Sequence, residues 1–493
     1  MNITFRILLI STGFILGLKT VSAQQEFTLY YMPVLAQSTY LNPAAVPEHK
    51  FSFSLPVPSI YVGFNNSALS VSSFVDKNGN VDYQDFVDGL KRNNNYLGVG
   101  SNVEALSFRF KVDNNFFQFS SRVITDLRMR YPKDLLGLGA EGIKDGYSLS
   151  GIGIDMNSYL EYGIGFTRVK PDSKWTYGGR LKLLNGLANV QTKTSNIELQ
   201  VNQDDIFQYD LKSEIELNMG VGVDGAKIGD FDELFEADFE DVAKARKFNK
   251  GLAIDGGVTL QFTDRLSFGA AINNLGYINW KNLSENYRSE MSLSFEGATL
   301  ENIDFSQSID SLFDAQMDSI FTSYEETFEN SFDTTNIAYK DWLPSTLFLS
   351  AHYQLSPKVK ASGSIYTEFY KGINLGLIAG VNYSLVRGLD LTTTWWWFRK
   401  SAANLGIGLV GKLGPVQIYT VMDNILPGGW VKISDQETQM EGVLLPYRVK
   451  NFNFRFGMNL VFGRLKEESR LPNQGLSKGR HGVRKYLYKP SLR

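Results

Sequence analysis

The chain has 493 residues, with 49 basic against 52 acidic side chains and a formal net charge of −3. This balance argues against a nucleic-acid partner, which wants a strong basic excess, and the absence of cysteine excludes a disulfide framework. Aromatic residues make up 13% of the chain and glycine fills 45 positions, while mean hydropathy is slightly negative; porin-type walls and large soluble β proteins share that composition, so periodicity decides between them.

The first residues predict export. Arg6 precedes an apolar stretch over 7–18 that holds Ser11, Thr12 and Gly13 and ends at Lys19, too short and interrupted for a membrane anchor. Val21-Ser22-Ala23 supplies the small-x-small pattern of a signal-peptidase site, so cleavage is expected between Ala23 and Gln24. Residues 1–23 therefore read as a signal peptide, and no cysteine follows to carry a lipid anchor. Without Arg6 and Lys19, 47 basic residues face 52 acidic ones. Past Ala23 no apolar run reaches the roughly 18 residues of a membrane-spanning helix.

Strand-like stretches begin near Phe51. The first two, around 51–63 and 66–75, are the least regular, since Pro56 and Pro58 remove ladder donors. Downstream the alternation is clear. Leu106, Phe108, Phe110 and Val112 oppose Ser107, Arg109 and Lys111; Trp175, Tyr177, Leu181 and Leu183 oppose Thr176, Arg180 and Lys182. Leu252, Ile254, Val258, Leu260 and Phe262 alternate with Ala253, Asp255, Gly257, Thr259 and Gln261. Leu347, Leu349, Ala351, Tyr353 and Leu355 oppose Phe348, Ser350, His352 and Gln354. The last strand sets Phe452, Phe454, Phe456, Met458, Leu460 and Phe462 against Asn453, Arg455, Gly457, Asn459 and Val461. Successive side chains of a strand face opposite ways, so each run is an apolar wall backed by a polar lumen. Runs of about 9–13 residues suit a tilted strand crossing a bilayer, whereas strands of a soluble sandwich run to about 5–6.

The expected fold is therefore all-β: a closed antiparallel transmembrane barrel over residues 24–463, with an even number of strands from 14 to 18 and short helices in loops or as a plug near the N-terminus. Tight turns fall at 263–265, 355–358, 386–388 and 413–415 by their Gly, Pro and Asp content. Long connections fall at 223–250, 281–341 and 427–446. Short turns belong in the periplasm and long loops outside. Counting back from Phe462 gives about eighteen crossings, and the count is consistent only if residues 289–296 lie in the outer loop instead of the wall. Helical patterns at 81–90 and 133–138 then fall on the periplasmic side, and those at 230–246 and 309–328 in outer loops. Residues 464–493 hold nine Arg or Lys against two Glu and read as a basic periplasmic tail.

Inward-facing charge is the main chemical feature. Arg109, Lys111, Arg180, Lys182, Asp255, His352, Lys360, Glu368, Lys412 and Arg455 are lumen-facing candidates, either paired across the lumen or setting ion selectivity. Trp395, Trp396 and Trp397, ahead of Arg399 and Lys400, read as an aromatic girdle at the bilayer interface; alternatively, one face of this run is a stacking platform for a ligand. Catalysis finds little footing: the only histidines are His49, His352 and His481, and no second signal locates a Ser–His pair. No metal or other cofactor is expected, since there is no cysteine and no histidine pair at ligand spacing. The run from Asp76 to Asp82 has calcium-loop spacing, but Val81 stands where glycine is required and Val87 where glutamate is. The acidic residues between Asp230 and Asp241 read as a solvated loop face.

The mature start, Gln24-Gln25-Glu26-Phe27-Thr28-Leu29-Tyr30-Tyr31 followed by Tyr40-Leu41-Asn42-Pro43-Ala44, resembles the opening of Bacteroidetes outer-membrane barrels of the PorP/SprF-like kind. Arg130-Tyr131-Pro132-Lys133-Asp134-Leu135-Leu136 resembles a related Bacteroidetes outer-membrane family of unknown function, and the general barrel pattern is similar to FadL-like transporters. The first resemblance implies a role beside type IX secretion and gliding; the last implies passage of apolar molecules. Two functions therefore stand as expectations. One is a transport barrel for small or apolar solutes, with a continuous lumen or a lateral opening. The other is a structural or interaction barrel with a plugged lumen, supporting a secretion or surface-attachment assembly. Both place the protein in the outer membrane, with outer-membrane lipid and lipopolysaccharide as surroundings and a periplasmic or secretion-machine partner as the further candidate.

Overall fold

An alternating strand has one face that must leave water and one that must keep it. Closing such strands into a cylinder satisfies both faces and leaves no edge. A computed structural model of the protein has this form: fourteen antiparallel strands closed into a barrel, the low end of the expected range. The structure describes residues 26–465, apart from 55–58, 67–86, 89, 93–94, 142–145, 171–172, 202–207, 222–248, 297–330, 371, 387, 399–400, 425–429, 436–439 and 447–450. The expected signal peptide with its Ala23/Gln24 site, the helical patterns at 230–246 and 309–328, and the tail beyond Leu465 lie outside the described residues.

The first wall strand comes in two pieces, β1 (His49–Ser54) and β2 (Ser59–Asn66), which share the same two neighbours. Pro56 and Pro58, which stand between them in the sequence, have no backbone N–H to give a ladder. β3 (Asn95–Val112) and β4 (Asn115–Tyr131) turn at Asp113, which takes φ 51°. β5 (Tyr147–Ser148) is a short piece, and β6 (Gly153–Val169) and β7 (Trp175–Val201) continue the wall. β8 (Gln208–Val221) pairs with the distal half of β7, and β9 (Asn249–Gln261) with its proximal half. β10 (Leu266–Trp280) extends the wall, while β11 (Ser284–Glu296) pairs with β8 and with β12 (Phe332–Thr335). Residues 289–296 thus belong to a sheet that rises beyond the wall.

β13 (Tyr339–Trp342) caps β10, and β14 (Ser345–Ser356), β15 (Val359–Phe369), β16 (Ile373–Val386), β17 (Leu389–Phe398), β18 (Ser401–Leu413) and β19 (Val416–Asp423) are consecutive hairpins. A separate hairpin of β20 (Trp430–Asp435) and β21 (Met440–Pro446) stands in the last long connection. β22 (Asn451–Arg464) closes the barrel, pairing with β19 on one side and with β1 and β2 on the other; Phe462 faces Phe51, and Arg455 faces Tyr61.

The outward face is the lipid band. Ile164, Leu181, Leu183, Leu252, Ile254, Leu375 and Leu377 each leave about half their surface exposed, which only a hydrocarbon surrounding makes favourable. One expectation is corrected. α1 (Phe27–Tyr30) lies inside the barrel, but α2 (Lys133–Glu141) follows Tyr131, which pairs with Asn95 at the end opposite the Asp113 turn. The helical pattern at 133–138 therefore stands at the end of the long connections and not, as expected, at the end of the short turns, while most of 81–90 lies outside the described residues. Counting back from Phe462, eleven wall strands lie between it and α2 (β6, β7, β9, β10, β14 to β19 and β22), and an odd number places α2 at the end opposite Phe462.

Candidate functional site

Residues 26–45 do not alternate. Aromatic residues and small hydroxyl-bearing residues crowd together there, which suits a compact coil that must touch a curved wall on all sides. α1 and a 3₁₀ turn (Ala36–Tyr40) form, and the segment makes backbone bonds within itself: Tyr31 N–H donates to Thr28 at 3.1 Å, Met32 to Leu29 at 3.0 Å and Leu41 to Ser38 at 3.1 Å. The whole segment sits in the lumen, with Leu29, Leu35 and Thr28 fully buried. It is a plug.

Its links to the wall run through side chains around the ring. Glu26 pairs with Arg455 on β22, and Arg455 Nη1 donates to Ser59 on β2 at 2.7 Å. Thr28 Oγ1 meets Thr394 Oγ1 on β17 at 2.5 Å and donates to Asp423 on β19. Tyr30 reaches Ser350 on β14 at 2.9 Å, and Tyr31 donates to Ser364 on β15 at 2.6 Å. Gln37 donates to Glu104 on β3 at 3.0 Å and to Asn459 on β22 at 2.9 Å, and Thr39 donates to Gln118 on β4 at 2.6 Å. Thr167 on β6 donates to the Pro43 carbonyl at 2.7 Å. Burial pushes the Tyr30 phenol up to about 12. Burial with Glu104 alongside pushes Tyr40 well above its ordinary value. Both hydroxyls therefore stay protonated donors at any physiological pH.

Two wall glycines shape the seat. A Cβ on Gly178 would stand 2.0 Å from the Pro43 carbonyl oxygen, and one on Gly257 would stand 2.5 Å from Asn42 Oδ1. No side chain fits there, so the Asn42-Pro43-Ala44 turn lies directly on the wall backbone.

Tyr40 marks the electrostatic centre. Its ring meets the guanidiniums of Arg122, at 4.2 Å, and Arg180, at 4.5 Å, and its hydroxyl donates to Glu104. Behind it Glu161 takes Arg122 at 2.6 Å and Arg180 at 2.9 Å, while Lys182 bonds Asp255 at 2.7 Å. All these side chains are buried. Buried charges persist only when paired and hydrogen-bonded; here Glu161 and Asp255 each have a cation, and Glu104 takes the Tyr40 hydroxyl and the Gln37 amide.

The ten lumen-facing candidates lie on the inward face. Arg180, Lys182, Asp255 and Arg455 join the networks above, and Glu368 pairs with Arg128 at 2.9 Å. Arg109 lies over the Phe116 ring at 4.1 Å with its Nη2 on the Ala45 carbonyl at 3.4 Å, and Lys111 lies 6.0 Å from the same ring. His352 bonds Ser362 at 2.8 Å beside Tyr30 and Tyr31, and Lys412 bonds His49 at 2.7 Å. Lys360 stands half-buried on the inward face of β15. Phe452, Phe454, Phe456 and Phe462 face outward, Phe462 the most exposed.

The girdle needs correction at one position. Trp395 and Trp397 face outward, but Trp396 has the opposite parity and is fully buried against Phe27, 5.1 Å between ring centres. Four residues central to the seat were not singled out in the sequence: Tyr40, Glu104, Arg122 and Glu161. The last two were accessible to the same alternation, since Arg122 and Glu161 sit on the inward parity of β4 and β6. Glu104 was hidden by the bulge at Ala105, which shifts the β3 register between Glu104 and Leu106.

The chain is similar to several solved outer-membrane proteins. The Ralstonia pickettii toluene transporter TbuX aligns at 10% identity over 85% of this chain and 92% of that one, with a TM-score of 0.40. The Pseudomonas putida toluene transporter TodX aligns at 10% over 90% and 94%, TM-score 0.35. A Pseudomonas aeruginosa FadL homologue aligns at 9% over 85% and 91%, TM-score 0.38. No curated protein matches the sequence. A family of unknown function (DUF5723) matches residues 43–423, and the chain belongs to that family.

Proposed function

We propose that the protein is a plug-gated transport barrel of the outer membrane that passes small or apolar solutes. The way the plug is held carries this reading. Its backbone-to-backbone hydrogen bonds are its own, and every bond to the wall runs through a side chain. A filling outside the strand ladder can move without unzipping a strand, whereas a barrel serving only as a scaffold has no use for a removable one. Phe27, Phe348, Tyr366, Trp396 and Phe398 gather on one side of the lumen, a lining compatible with an apolar solute once the plug shifts. In this reading the protein performs no chemistry, and outer-membrane lipid and lipopolysaccharide are its surroundings.

The absence of native cysteine gives a direct test. Thr28 and Thr394 oxygens lie 2.5 Å apart, so a Thr28→Cys/Thr394→Cys pair is placed to lock the plug to β17. Cells producing the oxidised variant should take up labelled toluene no faster than cells lacking the barrel, and reduction should restore uptake. Uptake that ignores the lock would sink the proposal.

A second reading has one observation in its favour. β8, β11 and β12 build on the distal half of β7 a sheet beyond the wall, a surface suited to a surface-attachment or type IX-like secretion partner. On that reading, deleting 202–222 and 284–335 would remove partner capture, and the lock would have no effect.

A further inference from the structure

Among the described residues the buried arginine and lysine side chains are Arg109, Arg122, Arg180, Lys182 and Arg455. All but one of them hold a carboxylate, from Glu161, Asp255 or Glu26. Arg109 holds none. Its Nη2 reaches the Ala45 carbonyl of the plug by a long bond of 3.4 Å, its guanidinium lies 4.1 Å from the Phe116 ring, and its buried Nη1 has no partner. A buried charge without a counterion is unfavourable. We infer that Arg109 selects anions at the short-turn end of the lumen: when the plug's last turn lifts, a small monoanion takes the place of the Ala45 carbonyl.

The surroundings of Arg109 supply donors and positive charge. Gln118 stands directly across the β3–β4 ladder, with its Oε1 taken by Thr39 and its buried Nε2 unpartnered. Lys111, next on the same face of β3, is half-buried and lies 6.0 Å from the same Phe116 ring. Farther around this end, Lys360 on β15 and Lys412 on β18 flank Asp390 on β17. Cations therefore outnumber carboxylates on the described inward face at the short-turn end. Deeper in the lumen Glu161, Asp255 and Glu368 each sit against a cation. An unbalanced excess of one sign leaves a potential that favours ions of the other, which closed pairs do not.

The site is conditional on the plug. A neutral carbonyl at 3.4 Å is a weak acceptor, whereas an anion would make a shorter, charge-assisted bond to the guanidinium and accept from the spare Gln118 amide. With the plug seated, Nη1 is buried and the carbonyl holds the place. The inference therefore rests on the plug-gated reading, and the first test below separates a failure of one from a failure of the other.

Ser52 faces Arg109 across the β1–β3 ladder. In the full-length protein, Ser52→Cys is labelled with a sulfonate-bearing and with a trimethylammonium-bearing methanethiosulfonate, each rate divided by that of a free thiol. The sulfonate should react at least tenfold faster. Arg109→Gln should lower that preference at least threefold, and Arg109→Lys, which keeps the charge, should preserve it. Equal rates with Arg109 present, or a preference untouched by Arg109→Gln, would overturn the assignment and leave the gating reading standing. No labelling by either reagent would show that the turn does not lift and would overturn both. If Arg109→Gln gives no heat-modifiable barrel, the ratio with Arg109 present decides alone. Reversal potentials of the Gly178→Val channel then separate the sources of the anion: anion selectivity in a gradient of potassium chloride alone assigns a halide, and in potassium acetate as well a carboxylate, while cation selectivity in both would contradict the labelling result and overturn the assignment.

Discussion

The Tyr40 ring lies 4.2 Å from the guanidinium of Arg122, and a second guanidinium, Arg180, lies 4.5 Å from the same ring. One aromatic residue of the plug therefore meets two cations of the wall, both anchored by Glu161. Desolvated cation–π contacts contribute about 2 kcal/mol each and a charge-assisted hydrogen bond about 1.5–3 kcal/mol. Tyr40→Ala should therefore loosen the plug by several kcal/mol, about 3–6 after partial compensation. Tyr40→Phe, which keeps the ring and loses only the bond to Glu104, should loosen it less. Flickering conductance in planar bilayers should rise in the order wild type, Phe, Ala. The same conductance in all three would remove Tyr40 from the seat.

Arg455 should be a link of comparable cost. It is buried, and its side chain holds Glu26 and Ser59 together. Removing one partner of a buried pair leaves an uncompensated charge, at about 3–5 kcal/mol. In a Thr28→Cys background, thiol labelling should be slow with Arg455 present and fast in Arg455→Ala. The double change Glu26→Gln/Arg455→Gln should restore slow labelling. Equal labelling rates throughout would show that the pair does not hold the plug's start.

Gly178→Val tests the close approach. Its Cβ would collide with the Pro43 carbonyl, so the Asn42-Pro43-Ala44 turn has to lift while the strand stays paired. We expect a heat-modifiable barrel with raised conductance. Gly411→Ala, where an added Cβ meets nothing within 4 Å, should match wild type in both assays. A silent Gly178→Val would contradict the seat geometry.

The tryptophan run separates interior from interface. Trp396→Ala empties a fully buried position and should cost about 3–5 kcal/mol. Trp395→Ala, 46% exposed on the lipid side, should cost less. Leu377→Lys on the same outward face as Trp395 should cost about 2–4 kcal/mol if it lies near the midplane. Urea unfolding in lipid vesicles measures all three. Equal losses at Trp395 and Trp396 would contradict the opposite orientations of the two rings.

Much of the wall was legible because a strand's two-residue period reports orientation directly. Arg455, Arg180, Lys182 and Asp255 face inward as the alternation of their strands implies, and the same parity separates Trp396 from its neighbours. What the period could not convey is how far a side chain reaches across the lumen. Tyr40, in a segment without alternation, meets Arg122 and Arg180 only because fourteen strands close on it. The first of the two early stretches, 51–63, is one wall strand in two pieces, as their shared partners on β3 and β22 show, while the second, 66–75, lies almost wholly outside the described residues.

The central claim is that the lumen is closed by a filling independent of the wall. Single-channel recording of the full-length protein beside a variant lacking residues 26–45 tests it most directly. The full-length protein should stay shut, and the shortened one, still heat-modifiable on gels, should conduct steadily. An open full-length channel, or an intact shortened barrel that remains shut, would contradict it.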